Sequence, residues 1–149
     1  MKDTIIFDLD GTLALIEHRR HFVECEREKQ DWDAFYEACD RDAPNMPIIQ
    51  LLNYIPDRGS FGKNILIFSG RSDKVLEKTK IWLDWNRVRY DGLRMRPDGD
   101  FTPDDELKKK WAMEYGVDRI AMVFDDRDKV VKMWRSLGLT CLQVAPGDF

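Results

Sequence analysis

Asp8 and Asp10 stand two residues apart at the end of a short uncharged run, Thr4-Ile5-Ile6-Phe7, and Gly11 follows at once. Four apolar or β-branched residues suit a strand covered on both faces. In open α/β sheets ligands bind outside the C-terminal strand ends, which is where this acid pair falls. A glycine there permits a tight turn and a close backbone approach. The simplest chemistry for two such acids is one nucleophile and one general acid/base with a hard cation between them. The plainer reading is a solvated acidic turn.

A second candidate follows Ile65-Leu66-Ile67-Phe68, again a buried strand by pattern, which ends at Ser69-Gly70-Arg71. Ser72 or Asp73 would then cap a helix with the stripe Val75, Leu76, Trp82 and Leu83. A hydroxyl and a guanidinium at a strand end beside a helix N-terminus make an oxyanion site; the plainer reading is a cap and a surface arginine. A third buried run, Ile120-Ala121-Met122-Val123-Phe124, ends at Asp125-Asp126-Arg127. Between the two, Thr102-Pro103-Asp104-Asp105 opens a helix with a first-turn proline and acids at the positive dipole end. That helix runs into Lys108-Lys109-Lys110, which residue type alone does not rank.

The elements that must hold these groups are legible in outline. Asn45 and Pro47 predict a helix start, Ile48, Leu51, Leu52 and Ile55 its buried face, and Pro56-Asp57-Arg58-Gly59 its end. Arg87 to Pro97 carries Arg87, Arg89, Arg94 and Arg96, with Leu93 and Met95 alternating as in a half-exposed strand. It reads as a basic edge strand, or as a track for substrate phosphates. Val130, Val131, Trp134 and Leu137 mark a further helix face, and Thr140 to Val144 a last strand. From Glu17 to Asp42 nine acids stand against five bases, a solvated helical insert that leaves the sheet next to the acid pair and so could act as a lid.

The totals set bounds. A chain of 149 residues, 43% hydrophobic, is one domain with a real core. No apolar run approaches the ~18 residues of a membrane span. Met1-Lys2-Asp3 leads straight into the first strand, so no signal peptide is expected. Cys25, Cys39 and Cys141 lack a C-x-x-C spacing, which predicts free thiols in a reducing cytoplasm. A net charge of -4 argues against a sequence-blind grip on a long duplex but not against binding a strand end. His18 and His21 have no third ligand near them, so no zinc site is expected. Gly62-Lys63-Asn64 lacks the glycine, the Ser/Thr and the strand-first order of a P-loop.

Asp8-Leu9-Asp10-Gly11-Thr12-Leu13 resembles the first motif of the haloacid dehalogenase superfamily of phosphotransferases. Ser69 matches its second motif, the lysine run its third and Asp125-Asp126 its fourth. Phe124-Asp125-Asp126-Arg127, Val130-Val131-Lys132-Met133-Trp134-Arg135 and Gln143-Val144-Ala145-Pro146-Gly147-Asp148-Phe149 are more specific. They resemble the 3′-phosphatase domain family of bacteriophage polynucleotide kinase-phosphatase. Ser69-Gly70-Arg71, Asp104-Asp105-x-x-Lys108 and Arg19, eleven positions after Asp8, fit the same family.

The resemblance implies an α/β fold: a three-layer Rossmann-like parallel sheet in one domain, 1-149, with a small helical cap insert at about 15-45. It implies Asp8 as nucleophile and Asp10 as general acid/base, which requires a raised Asp10 pKa. Ser69 and Lys108 would hold the phosphoryl oxygens, and Asp104 would orient Lys108. Mg²⁺ would be held by Asp8, Asp126 and the Asp10 carbonyl, with Asp125 in support. Arg71, with Gly70 beside it, and Arg19 would contact substrate phosphate. The implied substrate is a nucleic-acid 3′-phosphate end, the role end healing beside a kinase or ligase partner. The family's founding member carries a kinase domain ahead of this one, so the chain would be a stand-alone phosphatase or an excised domain. A small-molecule 5′- or 3′-nucleotidase and a non-catalytic docking domain of a repair assembly are the other two readings.

Overall fold

The computed structural model describes residues 1-56 and 62-148. The predicted helix stop at Asp57-Arg58-Gly59 and the terminal Phe149 lie outside the described residues.

Strand β1 (Thr4–Phe7) is the middle of a five-stranded parallel sheet with β4 (Asn64–Ser72) and β6 (Ile120–Asp125) on either side. Beyond β4 lies β5 (Gly92–Arg96), and beyond β6 lies β7 (Cys141–Gln143), giving the order β5-β4-β1-β6-β7. Period-2 alternation sorts the β1 side chains onto two faces. Ile5 and Phe7 pack with Ile49 and Leu52 of α3 (Met46–Tyr54) and Trp82 and Leu83 of α4 (Leu76–Trp85). Ile6 packs with Leu107 and Trp111 of α5 (Asp104–Tyr115) and Val130, Val131 and Trp134 of α6 (Asp128–Ser136). The result is the expected α/β/α sandwich. The strand order reverses between β1 and β6, the switch point where such sheets bind ligands.

From Ala14 to Pro44 the chain leaves the sheet. A two-residue ribbon, β2 (Ala14–Leu15) against antiparallel β3 (Ala43–Pro44), closes the excursion at its base. Between them lie α1 (Glu17–Arg20), α2 (Trp32–Glu37) and two 3₁₀ turns, Arg27–Lys29 and Ala38–Arg41. Asp31 caps α2 by accepting from Ala34 N at 2.9 Å. Lys74 and Lys78 pair with Asp33 and Glu37 at 3.0 and 2.7 Å, which fixes α2 beside the start of α4.

Three expectations need adjusting. Asn45 precedes α3, but its side chain donates to Thr12 O at 2.9 Å instead of capping the helix. Ile49 replaces Leu51 on the buried face of α3, because the helix starts at Met46 and turns Leu51 outward. The second strand continues through Ser69-Gly70-Arg71 to Ser72, whose Oγ accepts from Lys74 N at 3.3 Å. Among the described residues no helix is long and apolar enough to cross a membrane, and all three cysteines are free.

Candidate active site

The ends of β1 and β6 and the first turn of α5 bring one lysine among four acids. Asp8 leaves β1 with its N–H donating to Phe124 O at 2.8 Å, which ties the two strand ends together. Lys108 Nζ donates to Asp8 Oδ1 at 2.6 Å and to Asp125 Oδ2 at 3.0 Å, and lies 3.5 Å from Asp104 Oδ2. Lys109 and Lys110 point to solvent. The helical phase of α5 therefore settles which lysine serves the site.

The two neighbouring acids differ in their bonding. Asp125 accepts from Lys108 Nζ and Trp134 Nε1 (3.1 Å) on one oxygen, and from Asp126 N and Arg127 N (3.0 and 3.3 Å) on the other. Asp126 is buried, and its carboxylate accepts no hydrogen bond from the described residues. Ligand oxygens of Asp8, Asp125 and Asp126 all lie within 4.8 Å of one another. Burial, opposed by Lys108 but reinforced by Asp125, Asp126 and Asp104, pushes the Asp8 pKa well up. Burial and the Asp125 charge push Asp126 up to about 7. Burial works against the Lys108 charge, yet Asp104, Asp125 and Asp8 outweigh it and raise its pKa. An all-oxygen donor set with too little positive charge fits a hard divalent cation.

Asp10 lies in a different environment. Arg19 Nη2 donates to its Oδ1 at 2.7 Å, and Arg71 grips the same oxygen through Nη2, with Nε 3.5 Å from Oδ2. Behind them sits Asp42, whose carboxylate is fully buried. It accepts from Arg19 Nε and Nη2 at 2.7 and 2.6 Å, from Arg71 Nη2 at 3.1 Å, and stands 2.8 Å from His18 Nε2. Thr79 Oγ1 accepts from Arg71 Nη1 at 3.1 Å, and the Arg19 guanidinium lies 4.2 Å over the Phe35 ring. Burial would raise the Asp10 pKa, but Arg71 and Arg19 override it and bring it down to about 2.

The structure adds two things to the sequence expectation. Asp10 is held ionised, where its role as an acid required a raised pKa. Arg19 and Arg71 pair with Asp10 and Asp42, the groups with which a substrate phosphate would have to compete for them. Arg19, not Arg20, is the buried partner; Arg20 pairs with Glu24.

The remaining predicted groups border the same space. Ser69 is buried, its Oγ accepting from Arg71 N at 3.2 Å. The Gly70 carbonyl accepts from Arg96 Nε at 2.8 Å, and Arg96 Nη2 lies 3.5 Å from Asp104 Oδ1. Arg94 stacks over Trp111 and pairs with Glu114, and Arg89 turns to the carbonyls of Asn53 and Ile55. Arg89, Arg94 and Arg96 thus each have protein partners, and Arg87 is exposed. Sequence reasoning missed Asp42 and Trp134. Asp42 was one of nine acids in a charged segment, and only its place between two arginines marks it.

Comparison with known proteins places the chain in a family. A family model described as the polynucleotide kinase PNKP phosphatase domain matches residues 2–149. A protein of Autographa californica nuclear polyhedrosis virus, provisionally named a bifunctional polynucleotide kinase/RNA ligase, is 30% identical over 137 residues, 89% of this chain and 18% of that protein. A chain in the solved structure of the Pnkp1/Rnl/Hen1 RNA repair complex superposes with a TM-score of 0.81 at 32% identity, covering 98% of this chain and 43% of that one. A haloacid dehalogenase-like hydrolase of Streptococcus pneumoniae shares the fold, with a TM-score of 0.59 at 13% identity over 95% of this chain and 83% of that one. The chain spans less than half the length of the repair-complex chain and about a fifth of the viral relative. What the match covers is nearly the whole of this chain, and the chain belongs to the family of the polynucleotide kinase PNKP phosphatase domain.

Proposed function

We propose that this protein is a phosphomonoesterase that removes a 3′-phosphate from polynucleotide ends through an aspartyl-phosphate on Asp8. The carrying observation is a buried carboxylate, Asp8, held at 2.6 Å by Lys108 Nζ, with Asp10 two residues on in a separate arginine pocket. Asp8, Asp126 and the Asp10 carbonyl would hold Mg²⁺, with Asp125 already engaged as the residue that orients Lys108. A bound Mg²⁺ supplies the positive charge that offsets repulsion between a carboxylate and a phosphate dianion.

Asp8 attacks phosphorus, and the bond to the 3′-oxygen breaks as that oxygen takes a proton from Asp10. Water then attacks the aspartyl-phosphate and gives its proton back to Asp10, leaving Asp8 free and inorganic phosphate as product. Lys108 and Ser69 steady the phosphoryl oxygens as charge develops. The low Asp10 pKa belongs to the substrate-free protein. A phosphate dianion competing for Arg19 and Arg71 takes away the counter-charges of Asp10, whose pKa then rises towards that of a proton donor. Asp42 keeps both guanidiniums in place during the exchange. The segment from Ala14 to Pro44, which supplies Arg19 and Asp42, serves as the cap in this reading, within a single domain. A kinase or ligase partner is supported by the names of the matched relatives.

The test is phosphate release, with Mg²⁺ and with EDTA, from matched oligonucleotides phosphorylated at the 3′ or the 5′ end, beside a 3′-mononucleotide. Mg²⁺-dependent release from the 3′ oligonucleotide alone is the expected result. Preferential release from the mononucleotide would replace the proposal with a nucleotidase, and no release from any substrate with a docking domain.

A further inference from the structure

The C-terminal run Gln143-Val144-Ala145-Pro146-Gly147 supplies no group to the proposed reaction, yet it is laid along Asp125 to Asp128. Val144 N donates to Asp125 O at 3.1 Å, and Asp128 N donates to Gly147 O at 2.7 Å. Gln143 Nε2 donates to Asp126 O at 2.8 Å and to Asp128 Oδ1 at 2.6 Å. Gly147 is buried, and a Cβ there would stand 2.6 Å from Arg127 Cα, 2.7 Å from Asp126 C and closer still to Asp126 O. Those are backbone atoms, which cannot swing aside. On the other side of Asp126 is Gly11, at φ +87°, where a Cβ would stand 2.5 Å from Asp126 Cγ and overlap its Oδ2. Two glycines therefore bracket one residue, Gly11 against its carboxylate and Gly147 against its main chain.

Asp126 needs such bracketing. Asp125 is aimed by four donors, whereas the Asp126 carboxylate takes no hydrogen bond from the described residues. Beyond the pull of the Lys108 charge, its own backbone and the shape of its neighbours set its direction. We propose that Gly147 and Gln143 form a strap that aims the Asp126 carboxylate, and that they are positioning residues for the cation held by Asp8 and Asp126. The strap rests on the cation reading given above. Supports of this kind commonly hold metal ligands in register and matter nearly as much as the ligands.

The experiment is Mn²⁺ binding to the metal-stripped protein, read from the electron paramagnetic resonance of free Mn²⁺, with circular dichroism as a check on folding. Gly147→Ala is expected to weaken Mn²⁺ binding by roughly tenfold or more, and Gln143→Leu by a smaller but clear factor. Gly99→Ala should leave it unchanged, since position 99 is also at positive φ but has nothing within 4 Å of a Cβ. A folded Gly147→Ala protein that binds Mn²⁺ like the parent overturns the strap. If that variant does not fold, Gln143→Leu decides alone, unchanged affinity overturning the proposal and weakened affinity supporting it. Asp126→Asn tells the two levels apart. If it binds Mn²⁺ as tightly as the parent, the cation reading itself is wrong and the strap falls with it.

Discussion

The two halves of the site are built from the same ingredients in opposite proportions. Around Lys108 stand Asp8, Asp104 and Asp125, all within 4.0 Å, with Asp126 beside them. Among the described residues the acids paired with Arg19 and Arg71 are Asp10 and Asp42. The first half has more negative charge than its lysine can balance, and two of its acids, Asp8 and Asp126, are pushed upward. The second half is balanced within itself, and Asp10 is pulled down to about 2. The difference teaches what each half still lacks. The acid-rich half calls for a cation. The balanced half opens only to an anion that can compete with a carboxylate for a guanidinium.

Breaking the acid-rich half should have the largest effect. Asp8→Asn is expected to lower turnover at least ~10³-fold with the circular dichroism spectrum unchanged, since the proposed mechanism forms its covalent intermediate on Asp8. Residual activity near the parent level would remove Asp8 from the mechanism. In the balanced half, Arg71→Ala leaves Asp10 and Asp42 buried with a single guanidinium between them. The expected loss is about 3–5 kcal/mol in urea unfolding, far more than Arg94→Ala, whose exposed pair with Glu114 contributes about 0–1 kcal/mol. Equal losses would mean that the pocket is wetter than its burial indicates.

Asp42→Asn sharpens the contrast. With one anion removed, both guanidiniums turn wholly to Asp10 and hold it ionised more firmly. Turnover of a 3′-phosphorylated oligonucleotide should drop by roughly 10²-fold, the low end of what general-acid catalysis supplies. Nitrophenyl phosphate, whose leaving group needs no proton, should suffer much less. Equal losses on both substrates would confine Asp42 to a purely structural role.

A titration separates the halves by sign. Asp126 has a folded pKa raised to about 7, so its contribution to stability is fully present below the ordinary carboxylate pKa and is lost as pH rises through 7. In EDTA this group therefore makes the protein less stable at pH 7.5 than at pH 5, and Mg²⁺ should raise the melting temperature by several degrees more at pH 7.5. A pH-independent Mg²⁺ effect would place the cation elsewhere. The smallest effect belongs to Lys109→Ala and Lys110→Ala, expected to change kcat/KM less than about twofold, because α5 turns both outward.

The acid-rich half was largely legible in the sequence because each of its acids closes or follows a buried strand, or opens a helix, and such ends mark themselves by a change of residue type. Asp8 after Phe7 and Asp125 after Phe124 are cases of this. The balanced half was not. Asp42 lies in no strand or helix and sits 34 residues after Asp8 in a segment crowded with charges. Its partner Arg19 could be named by resemblance, but the direction its guanidinium takes could not. The depressed pKa of Asp10 in the protein alone follows from that direction. In α3, periodicity found the helix but chose Leu51 over Ile49, a slip that comes from not knowing the rotation of the helix on the sheet.

The central position of β1 has a consequence in time. Its partners β4 and β6 are made about 60 and 116 residues after it, and Asp126 follows Asp8 by 118 residues. At synthesis rates of about 5–20 residues per second, Asp8 waits on the order of 6–24 s for Asp126 to be made. Until β6 is made an apolar strand, Ile5-Ile6-Phe7, has no neighbour on that side, and Asp8 lacks Asp125 and Asp126. The acid-rich half of the site is therefore assembled only after β6 has been made. While it lacks that neighbour, an apolar strand with one unpaired edge is a liability for association with other chains.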